Sequence, residues 1–259
     1  MNKKTSEILS SLIFPIAAVI IIALIWHAFY LSAGSEFIFP SIKSVAEKTV
    51  RYISDGYFWQ SFLNTLARVF SAVIIAFVPA ALIGTAGYYF PFVRKAVSPI
   101  VKIMISAPTV AVMLIINMLP VSKNVSPVIV ALTVIFPMVY SSIISASEQI
   151  DKKLIEMAKI YGVPLKKRIF SLILPSVLPF IIEQAGTVLA FTLKITVSAE
   201  IIAYTYKSLG GILQQANTYY DMAGVLALTV ISVIPAVIFE FAIKAAVRLY
   251  KRKSGYDKT

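Results

Sequence analysis

Long apolar runs alternate with short polar connections along nearly the whole chain. The runs fall near Leu12–Leu31, Leu66–Tyr89, Val97–Leu119, Val125–Ala146, Leu172–Val197 and Ala223–Leu249. A helix needs about 20 apolar residues to cross about 30 Å of hydrocarbon, so the pattern predicts six membrane-spanning helices. No period-two alternation suggests a strand, and no composition shift marks a second domain. The first run is longer than the apolar core of a cleaved leader, about 7–15 residues, although Ser32-Ala33-Gly34 supplies small residues behind it. It is read as a retained first span. Between the first two spans, Ser44-Val45-Ala46-Glu47 has capping-box spacing. Ile42, Val45, Ala46, Thr49, Val50 and Ile53 share one helical face, which predicts a short helix along the outer interface or against the bundle. Trp59, Phe62, Leu63 and Leu66 lead on into the second span.

Composition agrees. Of 259 residues, 59% are hydrophobic and 14% charged, with a mean hydropathy of +0.85, too little polar surface to coat a soluble domain. The fold class is therefore an all-α integral membrane protein. There is no cysteine, and His27 is the single histidine, so disulfides, thiolate chemistry and histidine-cluster metal sites are not expected. The net charge of +12 belongs to the flanks of apolar spans, which points to topology and lipid attraction and not to nucleic acid. With both termini in the cytoplasm, the inner pieces carry Lys3, Lys4, Arg94, Lys95, six bases from Lys152 to Arg168 and five from Arg248 to Lys258. The outer pieces carry Lys43, Lys48, Arg51, Lys123 and Lys207. This threefold bias sets the expected orientation.

One cytoplasmic stretch breaks the apolar rhythm: EMAKIYGVPLKKRIFSLILPSVLP, Glu156 to Pro179. Residues Asp151 to Tyr161 are rich in helix formers, and Asp151 places a carboxylate at the helix N-terminus. Gly162 suits the left-handed residue that ends a helix, and Pro164 fits the first turn of a second one. Ala158 leaves a small surface one turn earlier. The predicted shape is helix, tight turn, helix. Physics alone also allows an ordinary basic loop that fixes topology.

Spacing separates these readings. Glu156, Ala158, Gly162, Leu172, Leu174 and Pro175, with nine residues between Gly162 and Leu172, resemble the EAA signature of ABC importer permeases. Met157 replaces a small residue of that signature, and Leu172 replaces isoleucine. FPSIKSVAEKTVRYI followed by NTLARVF resembles the entry to the second span of nitrate/sulfonate/taurine-type permeases, with Pro40, Ser41, Leu66 and Arg68 at matching places. Pro99, Pro108, Glu200 and the Leu209-Gly210 pair match too, whereas NMLPVSKN departs from the usual glycine-containing end of span three. The resemblance implies one transmembrane permease domain, residues 1–259, with its core at 60–250, an N-terminal span at 12–31 and a coupling loop at 148–175. It also implies a multi-pass inner-membrane location, a homodimer, two copies of a cytoplasmic ATP-binding subunit and an extracytoplasmic substrate-binding protein. Related permeases carry sulfonates, nitrate, taurine, or pyrimidine and vitamin precursors. Glu156, Ala158, Gly162, Pro164, Leu174 and Pro175 would receive the ATPase. The chain has no GxxxxGK[ST] loop, so neither ATP hydrolysis nor a bound cofactor is expected of it.

Charged groups inside a bilayer are costly and are candidates for function. Glu183, Thr187, Lys194 and Glu200 occupy or border span five. Glu183 and Lys194 are eleven residues apart, on a similar face and roughly 16 Å apart along the axis. Two readings fit Lys194: contact with an anionic substrate, or snorkelling to the interface. Two fit Glu183: lining a path with Gln184 and Thr187, or an interhelical hydrogen bond. Arg68 is expected to snorkel, Glu240 and Lys244 to pair along one helix, and Trp26, His27 and Tyr30 to form an outer aromatic belt. Pro79, Pro108, Pro137, Pro175, Pro179 and Pro235 fall in spans; Pro175 and Pro179 suit a hinge or a fixed bend equally. An ion-gradient-driven transporter is the rival reading, but it would want paired intramembrane acids and an inverted repeat, and neither is clear. No nucleophile or metal motif supports a membrane enzyme.

Overall fold

The computed structural model describes residues 3–253; Met1, Asn2 and residues 254–259, including Lys258 of the basic tail, lie outside the described residues. Every regular element among the described residues is helical. In chain order they are α1 (Lys3–Ala33), α2 (Ile42–Ile53), α3 (Gly56–Tyr89), α4 (Pro91–Ser106), α5 (Thr109–Met118), α6 (Ser126–Glu148), α7 (Lys152–Ile160) and α8 (Leu165–Arg168). A π-helical turn (Ile169–Ile173) then leads into α9 (Leu174–Ala203), followed by α10 (Leu209–Thr218) and α11 (Met222–Lys253). Among the described residues five helices are long and apolar enough to cross a membrane, and α4 and α5, a pair bent at a short break, would make a sixth if they cross together.

That bend corrects the expected third span. Val97–Leu119 is not one straight helix: α4 and α5 meet at 96°. The cause is local. Pro108 lacks an N–H, and its ring forces Ala107 out of the helical region to φ −68°, ψ 132°. Pro108 then stands at the N-cap of α5. The prolines at 79, 99, 137, 179 and 235 lie inside continuous helices.

The chain divides into two compact units, Met1–Trp59 with Ile212–Ile231, and Gln60–Gly211 with Ser232–Thr259. In the first, none of the apolar window of α1 is buried, as befits side chains whose solvent is lipid. The α2 helix begins two residues before the expected cap. Ser41, not Ser44, is its N-cap, accepting the Ser44 N–H at 3.1 Å. The Ser41 N–H in turn goes to Glu36, whose carboxyl is held below its ordinary range by that bond. Val45, Ala223 and Ala227 form a small core packed by Trp26, Tyr52 and Leu226. Lys48 pairs with Asp221, which also accepts the Gly224 N–H. Trp26 does more than sit in a belt: its indole donates to the Pro40 carbonyl at 2.9 Å and its ring meets Phe39 edge-on. His27 lies 6.1 Å from the Tyr30 ring.

The second unit is built around α6 and α9. One face of α3 carries Thr65, Val69, Ala72, Ala76 and Ala80, all fully buried, and continues through Gly84 and Gly87. Such a stripe of small residues lets backbones approach closely, which drives helix association in lipid through dispersion contacts. At Gly84 a Cβ would stand 3.0 Å from the Ile143 side chain. Ala76 and Ala80 pack with Ile135, Val139, Tyr140 and Ile143 of α6 and Val188 of α9. A second cluster joins Ala72 to Met113, Val130, Ile195 and Ala199. A third, at the end nearest α7, joins Ala146, Ile150, Ile173 and Val177, with Ile155 against it. Glu240 and Lys244 pair along α11 as their spacing suggests, at 2.5 Å.

Candidate functional site

Start with the polar turn between α6 and α9. Asp151 is the N-cap of α7 and accepts the Lys153 N–H at 2.9 Å. At the other end Gly162 takes φ +64°, and two bonds close the turn: Gly162 N–H to Lys159 O and Val163 N–H to Ala158 O, both 3.0 Å. This pair of bonds is a Schellman motif, which satisfies the Ala158 and Lys159 carbonyls at the helix end and makes a short, defined elbow. Pro164 stands one position earlier than expected, at the N-cap of α8 and not inside its first turn. Five residues later the chain enters the π turn, where the Leu174 N–H reaches back to Ile169 O. The wide turn has a cause in sequence, since Pro175 has no N–H and in an α-helix its ring would strike the Ser171 carbonyl.

Ile155 anchors the elbow to the third cluster, Val163 and Leu165 are half-buried, and four of its large apolar side chains stand exposed. Ile160 is 83% exposed and Tyr161 79%, with Met157 and Leu154 beside them also exposed. Glu156 is exposed and Ala158 half-buried; Leu174 and Pro175 lie exposed where α9 begins. These six signature residues are therefore gathered on one elbow and the first turn of α9.

The second constellation was only partly foreseen. Arg68 does not snorkel. Its Nη1 donates to Glu200 Oε1 at 2.9 Å, and its Nε and Nη2 go to the backbone and side-chain oxygens of Asn124. Glu200 is fully buried and also accepts the Thr65 hydroxyl at 2.9–3.0 Å and the Gly210 N–H at 3.1 Å. Thr65 accepts the Leu209 N–H at 2.9 Å. Two otherwise orphaned amides at the start of α10 are thus satisfied, one of them by a carboxylate where the helix dipole favours negative charge. Glycine is required at 210, because a Cβ there would fall 2.6 Å from Val197 O. Asn64 to Lys207 O and Thr205 to Lys123 O extend the network.

The remaining candidates lie on another face of α9. Thr187, Phe191 and Lys194 are exposed at i, i+4 and i+7, and Ser198 continues the line. Glu200 does not share that face. Glu183 falls four residues before Thr187 in α9, and its side chain lies outside the described residues. Beside Phe191, the bend between α4 and α5 opens a cavity of about 550 Å³.

Comparison with known proteins gives these features a family. Residues 78–252 match the family model described as the binding-protein-dependent transport system inner membrane component. Probable ABC transporter permease proteins of Brucella melitensis and Brucella abortus are 26% identical over 198 residues, 75% of this chain and 78% and 77% of theirs. The fold is similar to that of the MetNI methionine ABC transporter in an inward-facing conformation, with a TM-score of 0.67 at 20% identity over 74% of this chain and 95% of that one. It is similar also to a bacterial alginate ABC transporter solved with a periplasmic protein bound to an alginate pentasaccharide, with a TM-score of 0.67 at 15% identity over 95% and 96%. The chain belongs to the family of binding-protein-dependent inner-membrane transport components: it is a multi-pass ABC importer permease subunit, and not an enzyme.

Proposed function

We propose that the elbow at 151–168 is the coupling element of this permease, gripped by a separate cytoplasmic ATPase. The observation that carries the reading is the exposure of Ile160 and Tyr161 on a turn closed by its own backbone hydrogen bonds. Large apolar side chains held out on a polar elbow fit a protein partner, since no local core covers them. The π turn and Pro175 join that elbow directly to α9, so closure of the ATPase would move α9 as a rigid body. The subunit would act as a homodimer with two ATPase copies, both termini in the cytoplasm. A binding protein would deliver the solute from outside, as the periplasmic protein seen with the alginate transporter suggests. The solute would pass along the face of α9 that carries Thr187 and Lys194, with Glu183 in register. Lys194 favours a small organic anion. Glu200 and Arg68 would hold the outer end of that path together.

The test is Gly162→Pro. Proline holds φ near −65° and removes the N–H that closes the turn, so the elbow cannot form. Reconstituted with its ATPase and binding protein, the variant should insert normally and lose coupled uptake. Substrate-stimulated ATP hydrolysis at the normal rate would refute the assignment, as would the absence of any crosslink from residues 156–168 to the ATPase.

A further inference from the structure

The break between α4 and α5 leaves a run of backbone groups without partners. The Ala107 N–H still bonds Ile103 O at 3.0 Å, and the next such bond is Val112 N–H to Pro108 O at 3.1 Å. Between them, among the described residues, nothing in the chain accepts from the N–H of Thr109, Val110 or Ala111. Nothing donates to the carbonyls of Met104, Ile105, Ser106 and Ala107. Every helix end leaves such groups, and at a wet surface water satisfies them. This break is not at such a surface. Ile100 on one arm and Val110, Leu114 and Ile115 on the other stand outward, as side chains in hydrocarbon do.

Irregular backbone among lipid is tolerated only where protein buries it or where it lines water. The chain does not bury it: Ile105, Ser106 and Pro108 are exposed, and Met104, Ala107 and Thr109 are half-buried. What the break does line is the cavity of about 550 Å³, with Ile105, Ala107 and Thr109 in its wall beside Thr133 of α6 and Phe191 of α9. No charged side chain lines that cavity among the described residues. A second space of about 220 Å³ shares Ile105 and Ser141 with it and reaches the end of α6 nearest α7. Arg94, Lys102 and Glu148 line this second space, and all three are exposed. Ionised groups keep their charge at low cost only in contact with water, so this end is wet.

We propose that the cavity at the α4–α5 break is a water-filled chamber within the membrane, entered from the elbow end past Arg94 and Glu148. Its guests are small hydrogen-bonding solutes and not lipid chains, because seven backbone groups at the break need partners that a lipid chain cannot offer. The chamber's place in solute transit rests on the transport reading; its water and its mouth rest on the backbone of the break and on the charged groups beside it.

The lack of native cysteine makes the test direct. Ala107→Cys and Thr109→Cys put a thiol in the chamber wall, Ile115→Cys puts one on the outward face of α5, and Lys159→Cys puts one on the exposed elbow. Each full-length variant is labelled in inverted and in right-side-out membrane vesicles. One reagent is a membrane-impermeant methanethiosulfonate (the ethyltrimethylammonium), and the other is the lipophilic N-cyclohexylmaleimide. Lys159→Cys reports which vesicles turn the elbow outward. There the impermeant reagent should label both chamber thiols within about tenfold of the elbow thiol, and Ile115→Cys, kept protonated by hydrocarbon, should lag the elbow thiol by about 100-fold. In vesicles of the opposite orientation the chamber thiols should stay unlabelled by that reagent. Chamber thiols as slow as Ile115→Cys would overturn the proposal: labelling by the maleimide would then assign the cavity to lipid, and resistance to both reagents would assign it to a covering protein face. Labelling from the side opposite the elbow would overturn the assigned mouth. Neither ATPase nor binding protein is needed, so failure here leaves the elbow assignment standing, and failure of the Gly162→Pro test leaves the chamber standing.

Discussion

The elbow at 151–168 and the network around Glu200 reverse the usual distribution of polarity. At the elbow, isoleucine and tyrosine stand in the open on a turn closed by its own backbone bonds. In the network, a carboxylate is fully buried with a guanidinium, a threonine and a backbone amide around it. The first arrangement adds little to the stability of the chain and leaves a surface for something else. The second binds α3, α9 and the start of α10 to one another and leaves nothing over. Function at the elbow should therefore be separable from stability, and at the network it should not.

The largest effect that would test this contrast is Arg68→Met. Removing one partner of a buried pair strands the other charge, so stability should fall by about 3–5 kcal/mol. Thermal unfolding in detergent would show it. Adding Glu200→Met should recover about 2 kcal/mol of the summed cost, since the stranded charge goes too. A simple sum of the two single effects would mean the pair carries no coupling. Gly210→Ala comes next. Its Cβ meets backbone atoms that cannot step aside, so a loss of about 2–3 kcal/mol is expected by the same measurement. At the elbow, Gly162→Ala should cost only about 1 kcal/mol, the strain of a left-handed alanine, because open space surrounds the site. Ile160→Ser should leave stability within about 0.5 kcal/mol. It should nonetheless weaken ATPase binding about tenfold, or about 1.4 kcal/mol, measured by titrating the ATPase onto nanodisc-bound permease. If Ile160→Ser destabilised the chain as Gly210→Ala does, the contrast would fail.

How far the residues alone foretold this follows from the range of each interaction. The elbow was legible because its determinants are local: Asp151 caps two residues away, Gly162 supplies the positive φ, and Ala158 closes the turn five residues before Val163. The spans were legible from length and apolarity. The bend at Ala107–Pro108 was half legible. Proline was seen, but the choice between a kink and a full break depends on what packs around it. The capping-box spacing points to Ser44 and misses Ser41 as the α2 cap, because it takes no account of Glu36, whose carboxylate takes the Ser41 N–H. The Arg68–Glu200 pair spans 132 residues, and helix-face rules are silent at that range. A signal existed: two opposite charges sat near the ends of spans two and five that the basic bias turns to the same side, and charges in lipid seek partners.

The long reach of the Arg68–Glu200 pair also orders the making of the molecule. A nascent chain inserts its helices from the N-terminus, so Arg68 enters the bilayer well before residue 200 has been synthesised. Until then its charge has no carboxylate partner and must be held toward the headgroups at the end of its span. The early helices are thus held in a provisional arrangement that locks when the fifth crossing and the amides at 209 and 210 arrive. A chain truncated before α9 should therefore be recognised by quality-control proteases as unfinished.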